Sequence, residues 1–454
     1  MSLRQRLARP LGLYPHGRVI HLSPPEILLL GLVLLSIVGT LLLRLPIAAT
    51  ETLRWNEALF TATSAITVTG LNVVETAELT RFGQCIVLVL IQVGGLGFMT
   101  FAALTLLLLG MRMPLQEQNL IREALNHTSF KNLVPLVRLV ILFALIAETL
   151  GALLLAITWV PTYGWSEGLW FSVFHAVSAF NNAGFTTWPD SLREEVANPL
   201  VNGVVSLLFI IGGLGFAVIA ELTKHRRSRR LSLHARVVLY ATLWLNLIAM
   251  LALLLLEWGN PDTLGGLESI GARLQAAWFQ AVTPRTAGFN TLDTAALRDP
   301  STLLTMLLMF IGAGSGSTAS GIKVTTFVIL VLVARSFVRG NQQPVAFGRT
   351  IPEETVLKAV SVALAGMLLI FACLFVLTIT EPGKAFLDLA FESVSAFGTV
   401  GLSRGVTAEL SLPGQLIIIL TMLLGRVGPI SLGYFIATRQ PHSLKHATGQ
   451  VHIG

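Results

Sequence analysis

Four glycines, Gly70, Gly184, Gly288 and Gly401, close four segments of one design. They read Thr67-Val68-Thr69-Gly70, Asn181-Asn182-Ala183-Gly184, Arg285-Thr286-Ala287-Gly288 and Gly398-Thr399-Val400-Gly401. A large apolar residue follows each glycine (Leu71, Phe185, Phe289, Leu402). An aromatic stands ten positions before it (Phe60, Phe174, Trp278, Phe391). The chemistry such segments can do is coordination. Four glycine-containing loops around one axis offer backbone carbonyls that replace the hydration shell of K⁺. Glycine is needed because carbonyls crowd an axis only where no side chain obstructs the backbone. The four loops differ, so one chain would build a filter of lowered symmetry. Only Thr399-Val400-Gly401 copies the potassium-channel triplet. Asn181 and Asn182 are expected to brace backbone. Arg285 is expected to turn away from the axis, where a salt bridge would brace its loop.

A second repeat begins 24, 28, 24 and 24 residues after the filter glycines. It reads Gly94-Gly95-Leu96-Gly97, Gly212-Gly213-Leu214-Gly215, Gly312-Ala313-Gly314-Ser315 and Gly425-Arg426-Val427-Gly428. Small residues let membrane helices pack closely. In the third unit the run continues through Gly312, Gly314, Ser315, Gly316, Ser317, Thr318, Gly321 and Lys323. This composition opposes a continuous helix. It reads as a flexible intramembrane loop below the filter, and the other units carry no such insert. Lys323 is expected to repel ions, to pair with an acid, or to snorkel to the cytoplasmic membrane edge. Arg426 lies deep in an apolar run, where charge is costly and functional by default. It is expected to face the pore below the filter as an electrostatic barrier or part of a gate, or else to pair with an unidentified acid. Glu148 is expected to find a partner on a neighbouring helix.

These residues need a scaffold. The chain has 454 residues, 54% hydrophobic and 12% charged, about half the charge of a soluble domain. Eight apolar runs, at roughly 27–46, 83–110, 134–160, 199–223, 234–257, 302–337, 355–380 and 412–438, are long enough to span a bilayer. One glycine segment lies between the members of each consecutive pair. The fold class is therefore an all-α polytopic membrane protein. Its eight transmembrane helices would form four span–pore-helix–filter-loop–span repeats around a pseudo-fourfold pore. The repeats occupy 27–110, 111–223, 224–337 and 338–438, between termini at 1–26 and 439–454. Short helices such as 55–66 and 385–397 would point their partly negative C-terminal ends at the cavity. Of the 31 Lys and Arg, 20 fall in 1–26, 111–138, 221–236, 335–358 and 439–454. The positive-inside rule makes these segments, and both termini, cytoplasmic. The net charge of +7 thus reflects topology and lipid rather than nucleic acid.

Cys85 and Cys373 are read as buried free thiols. His175 and Glu392 both stand nine positions before a filter glycine, but Thr61 and Phe279 match them, which argues against acid–base catalysis. With no metal, nucleophile or nucleotide motif, an enzyme is not expected. An inverted-repeat carrier is disfavoured because every unit runs in the same order.

As a set, Thr-Val-Thr-Gly, Asn-Asn-Ala-Gly-Phe, Thr-Pro-Arg-Thr-Ala-Gly-Phe-Asn, the glycine-rich sixth span and Gly425-Arg426 resemble the superfamily of K⁺ transporters comprising Trk, Ktr and plant relatives. Trk subunits typically carry two extra N-terminal spans, so the Ktr membrane subunit is the better match, with a Trk subunit or a Na⁺-conducting relative as alternatives. The resemblance implies a homodimer with one pore per protomer and Na⁺-stimulated K⁺ uptake across the cell membrane. It also implies a cytoplasmic ring of nucleotide-binding RCK subunits. It assigns the filter to the four glycine segments and the gate to Gly312–Lys323 with Arg426.

Overall fold

Helix starts are written locally. Asn198 Oδ1 accepts from the N–H groups of Leu200 (3.2 Å) and Val201 (3.3 Å), and Pro199 fills the first turn, where its missing N–H costs nothing. Ser232, Ser269 and Ser411 cap three other helices through their hydroxyls. The computed structural model describes residues 24–109, 133–224, 231–340 and 343–428. The N-terminal segment to residue 23, most of the 111–138 connection, the basic run from His225 to Arg230, and the chain beyond Gly428 lie outside the described residues.

The described residues are mostly helical. The helices are α1 (Pro24–Leu43), α2 (Trp55–Thr67), α3 (Arg81–Leu109), α4 (Leu133–Phe180), α5 (Pro199–Leu214), α6 (Phe216–Lys224), α7 (Leu233–Glu257), α8 (Ile270–Val282), α9 (Asp299–Phe310), α10 (Val324–Val338), α11 (Glu353–Thr380), α12 (Phe386–Gly398) and α13 (Leu412–Val427). A two-residue hairpin pairs β1 (Val345–Ala346) with β2 (Arg349–Thr350). Within α4 the path turns at Gly164, whose φ of 81° is open only to glycine at little cost. The segment beyond it is the short helix that leads to Gly184.

Three described helices are long and apolar enough to cross a membrane: Arg138–Phe180, Leu233–Glu257 and Glu353–Thr380. The pair Pro199–Leu214 and Phe216–Thr223 is long and apolar enough for a further crossing only when taken together, and it is bent by 98°. The other apolar helices among the described residues are shorter. An uninterrupted fourth span over 199–223 is therefore not what forms. The break falls at Gly215, φ 94°, the last glycine of the Gly-Gly-Leu-Gly run. Likewise α13 stops at Val427 before Gly428, φ 90°. Breaks below the filter segments are thus not confined to the third unit.

The helices touch in cyclic order. α3 packs on α4, α5 on α7 and α8, α9 on α12, α10 on α11, and α13 returns to α1 and α2. The outward faces of α1, α4, α7 and α11 expose leucine, isoleucine and phenylalanine. The inner short helices are buried over their C-terminal turns, with Phe60, Phe174, Phe279 and Phe391 at 0% exposure. An exterior more apolar than the polar-studded interior is the inverse of a soluble bundle. Cys85, expected buried, is exposed on α3; Cys373 is buried, and both are free.

Candidate functional site

Each filter glycine sits just beyond the C-terminus of a buried short helix. α2, the end of α4, and α12 finish on the same turn. The N–H groups of Thr69, Ala183 and Val400 donate to the carbonyls of Ser64, Ser178 and Ser395 at 2.8, 2.8 and 2.9 Å. Loop 3 differs by one residue in its acceptor: there Ala287 N–H donates to Thr283 O at 2.9 Å. The backbone then follows one pattern four times. Val68, Asn182, Thr286 and Thr399 are left-handed, with φ of 57°, 61°, 70° and 48°. Two residues on, Gly70, Gly184, Gly288 and Gly401 have φ of 89°, 68°, 77° and 95°.

The four glycines meet. A methyl group on Gly70 would stand 3.3 Å from Gly184 Cα, and one on Gly184 would stand 2.9 Å from Gly288 Cα. One on Gly288 would stand 3.3 Å from Gly401 Cα, and one on Gly401 would stand 3.0 Å from Gly70 Cα. The four backbones therefore form a closed ring. The nearest carbonyls to those imagined methyls are those of Ala183, Ala287, Val400 and Thr69. They belong to the residues just before the neighbouring glycines.

A hydroxyl braces every loop, a feature the sequence reading missed. Ser64 Oγ accepts from Gly70 N–H (3.1 Å) and Ser395 Oγ from Gly401 N–H (3.2 Å). Ser178 Oγ donates to Phe185 O (2.7 Å), and Thr283 Oγ1 donates to Phe289 O. The signal was present: a hydroxyl six residues before three of the glycines and five before Gly288.

Arg285 does turn away from the ring, but no salt bridge to it exists among the described residues. Its guanidinium donates to Asn246 Oδ1 (3.0 Å), Thr242 Oγ1 (3.3 Å) and Thr242 O (3.4 Å) on α7. Asn181 and Asn182, expected to brace backbone, reach mainly side chains, and in opposite directions. Asn181 Nδ2 donates to Val177 O (2.9 Å), Gln92 Oε1 (2.8 Å) and Glu148 Oε1 (3.1 Å). Gln92 Nε2 donates to both Glu148 oxygens, at 3.0 and 3.1 Å. Asn182 Oδ1 accepts from Thr318 Oγ1 at 2.9 Å. Glu392 is a brace too, accepting from Thr407 Oγ1 (2.7 Å), Arg404 N–H (3.3 Å) and Ser403 Oγ beyond Gly401. His175 is packed among Trp159, Trp188 and Phe174, with Nδ1 against Phe171 O. Neither supports acid–base chemistry. In the loop beyond Gly70, burial first, and then Glu78 and Asp190, push the Glu75 carboxyl above its ordinary range.

Glu148→Leu would leave both Gln92 Nε2 and one bond of Asn181 without an acceptor. Unsatisfied buried donors cost about 1–3 kcal/mol each. The variant is expected to unfold several degrees lower in detergent, followed by tryptophan fluorescence. An unchanged midpoint would show that the cluster braces nothing.

Residues 312–321 leave the helix as a closed loop. Its neck pairs Ile311 with Ile322: Gly312 N–H donates to Ile322 O (2.8 Å) and Val324 N–H to Ala313 O (3.0 Å). The loop docks in the break between α5 and α6. Gly314 N–H donates to Gly213 O (2.7 Å) and Phe216 N–H to Gly316 O (2.9 Å). Arg426, 6% exposed, bonds carbonyls instead of an acid. It donates to Thr318 O, to Ser320 Oγ (3.2 Å) and to Gly94 O on α3 (2.7 Å). Lys323 caps α10 and donates to Ala319 O at 2.7 Å, which replaces both the expected acid and the membrane edge.

Long apolar helices around a buried core of irregular, glycine-bearing backbone define a multi-pass membrane protein of the transport class. The chain belongs to the family described as "TrkH: Cation transport protein", which matches residues 31–444. It is 48% identical to the Ktr system potassium uptake protein B of Bacillus subtilis, over 96% of this chain and 98% of that one. It is 41% identical to the Ktr system potassium uptake protein B of Vibrio alginolyticus, over 95% of each. The potassium/sodium uptake protein NtpJ of Enterococcus hirae is 37% identical over 95% of this chain and 98% of its own. The crystal structure of the potassium transporter TrkH from Vibrio parahaemolyticus shares the fold. Its TM-score is 0.73 at 20% identity, covering 93% of this chain and 87% of that one.

Proposed function

We propose that the chain is the pore-forming subunit of a K⁺ uptake system in the cell membrane. The observation that carries this is the closed ring of Gly70, Gly184, Gly288 and Gly401. Carbonyls before these glycines replace the hydration shell of K⁺, held there by a backbone that alternates in hand. Eight membrane crossings arranged as four repeats give a pseudo-fourfold pore, with basic connections and both termini cytoplasmic. The loop 312–321 obstructs the cavity below the ring, with Arg426 as its fastener and as a fixed charge that opposes cations. Na⁺ stimulates uptake; the naming of NtpJ for both ions favours this. Two chains form a homodimer docked on a cytoplasmic RCK-type nucleotide-binding ring, in keeping with relatives named as parts of a Ktr system.

The test is flux of labelled rubidium into liposomes carrying the purified protein. Saturable uptake, competed by K⁺ far better than by Na⁺, is expected; absence of cation flux from folded protein overturns the reading. Arg426→Ala is expected to raise basal flux several-fold or to change its voltage dependence, because the loop loses its bonds at Thr318 and Ser320. Wild-type flux in both respects from a stable variant would make Arg426 purely structural.

A further inference from the structure

We propose that Asn182 and Thr318 form a latch that couples ion discrimination in the second filter loop to the position of the intramembrane loop. The inference rests on the filter and gate reading above. Thr318 is the crossing point of this region. Its hydroxyl donates to Asn182 Oδ1 (2.9 Å) and reaches Phe180 O (3.5 Å). Its N–H approaches Gly212 O (3.4 Å), and its carbonyl accepts from Arg426. Thr318 is 0% exposed and Asn182 1% exposed, so water cannot replace the bond in this conformation.

Asn182 stands out among its equivalents. At the matching left-handed positions, Val68 has no polar atom, and the hydroxyls of Thr286 and Thr399 are buried without a partner. Only the second loop, among the described residues, therefore reaches the intramembrane loop from this position. Its route is fixed by Gly212, where a methyl group would stand 2.9 Å from Asn182 Oδ1.

The other end of the lever is pinned. Asn181, one residue earlier, is held by Val177 O, Gln92 and Glu148. When the intramembrane loop leaves, Asn182 loses its only bond to Thr318 while Asn181 stays clamped. The change is taken up by Ala183 and Gly184, whose backbone stands in the ring. Discrimination by this loop is then tighter with the loop docked than with it released.

The test uses the full chain in liposomes, with Thr318→Val, Asn182→Gly and the double variant. Valine keeps the shape of threonine, and glycine accepts the left-handed backbone without strain. Each single variant is expected to lower the ratio of K⁺ to Na⁺ uptake about three- to tenfold, and the double variant no further than the singles. Thr318→Ser keeps the donor and is expected to keep the wild-type ratio. Additive losses, a ratio that Thr318→Val leaves unchanged, or failure of serine to preserve it would overturn the latch. Wild-type protein without selective flux would instead overturn the filter reading, and the latch with it.

Discussion

Gly401→Ser is expected to lower K⁺ over Na⁺ discrimination by about tenfold or more while leaving most of the folded yield. Gly401 has φ 95°, where a side chain is strained by about 1–3 kcal/mol. Its Cβ would lie against Thr69 O and 3.0 Å from Gly70 Cα, on the first filter loop. The strain can relax only by moving carbonyls of the ring. About 1.4 kcal/mol of differential ion binding is already a factor of ten. The helix behind it, α12, is fully buried over its last turns and fixed by the Ser395 bonds, so the fold should survive. The check is paired K⁺ and Na⁺ uptake, with monodispersity in detergent as the folding control. An unchanged ion ratio in a well-expressed variant would remove Gly401 from the coordinating set.

Removing Gly314 to Ser320 while keeping the neck should raise partner-independent flux by about tenfold or more. The neck is self-contained, since Gly312 N–H and Val324 N–H bond Ile322 O and Ala313 O. What the deletion removes is the part that bonds Gly213, Phe216 and Arg426. Those bonds are several, yet each is a neutral or charge-assisted contact of about 0.5–3 kcal/mol net. A loop held that way can have two states a few kcal/mol apart, as a gate requires. Ion preference should fall by no more than Thr318→Val produces. If the shortened protein folds and its uptake depends on a regulatory partner as much as the wild type does, the loop is not the gate.

The sequence by itself determined the repeated glycine frame, the helical membrane class and the family. These features are local. A glycine that must take positive φ, a proline that stops a ladder of hydrogen bonds, and a run of apolar residues facing lipid each act within a few residues. Four copies made them visible. The short helices ending at Thr67, Phe180, Val282 and Gly398 were legible for the same reason. Partner choice was not. An acid was the partner foreseen for a structural Arg426, and it bonds Gly94 O, 332 residues away, and Thr318 O. Arg285 was expected in a salt bridge, and it bonds Thr242 and Asn246. Glu148 had no assignable partner until α3 and α4 came together around Gln92 and Asn181. The bend at Gly215 likewise depends on the loop that fills it. Such contacts follow from which faces two distant helices present to each other. A buried charge will accept any carbonyl, amide or carboxylate that satisfies it, so residue type alone cannot select one, and only the assembled ring of helices decides.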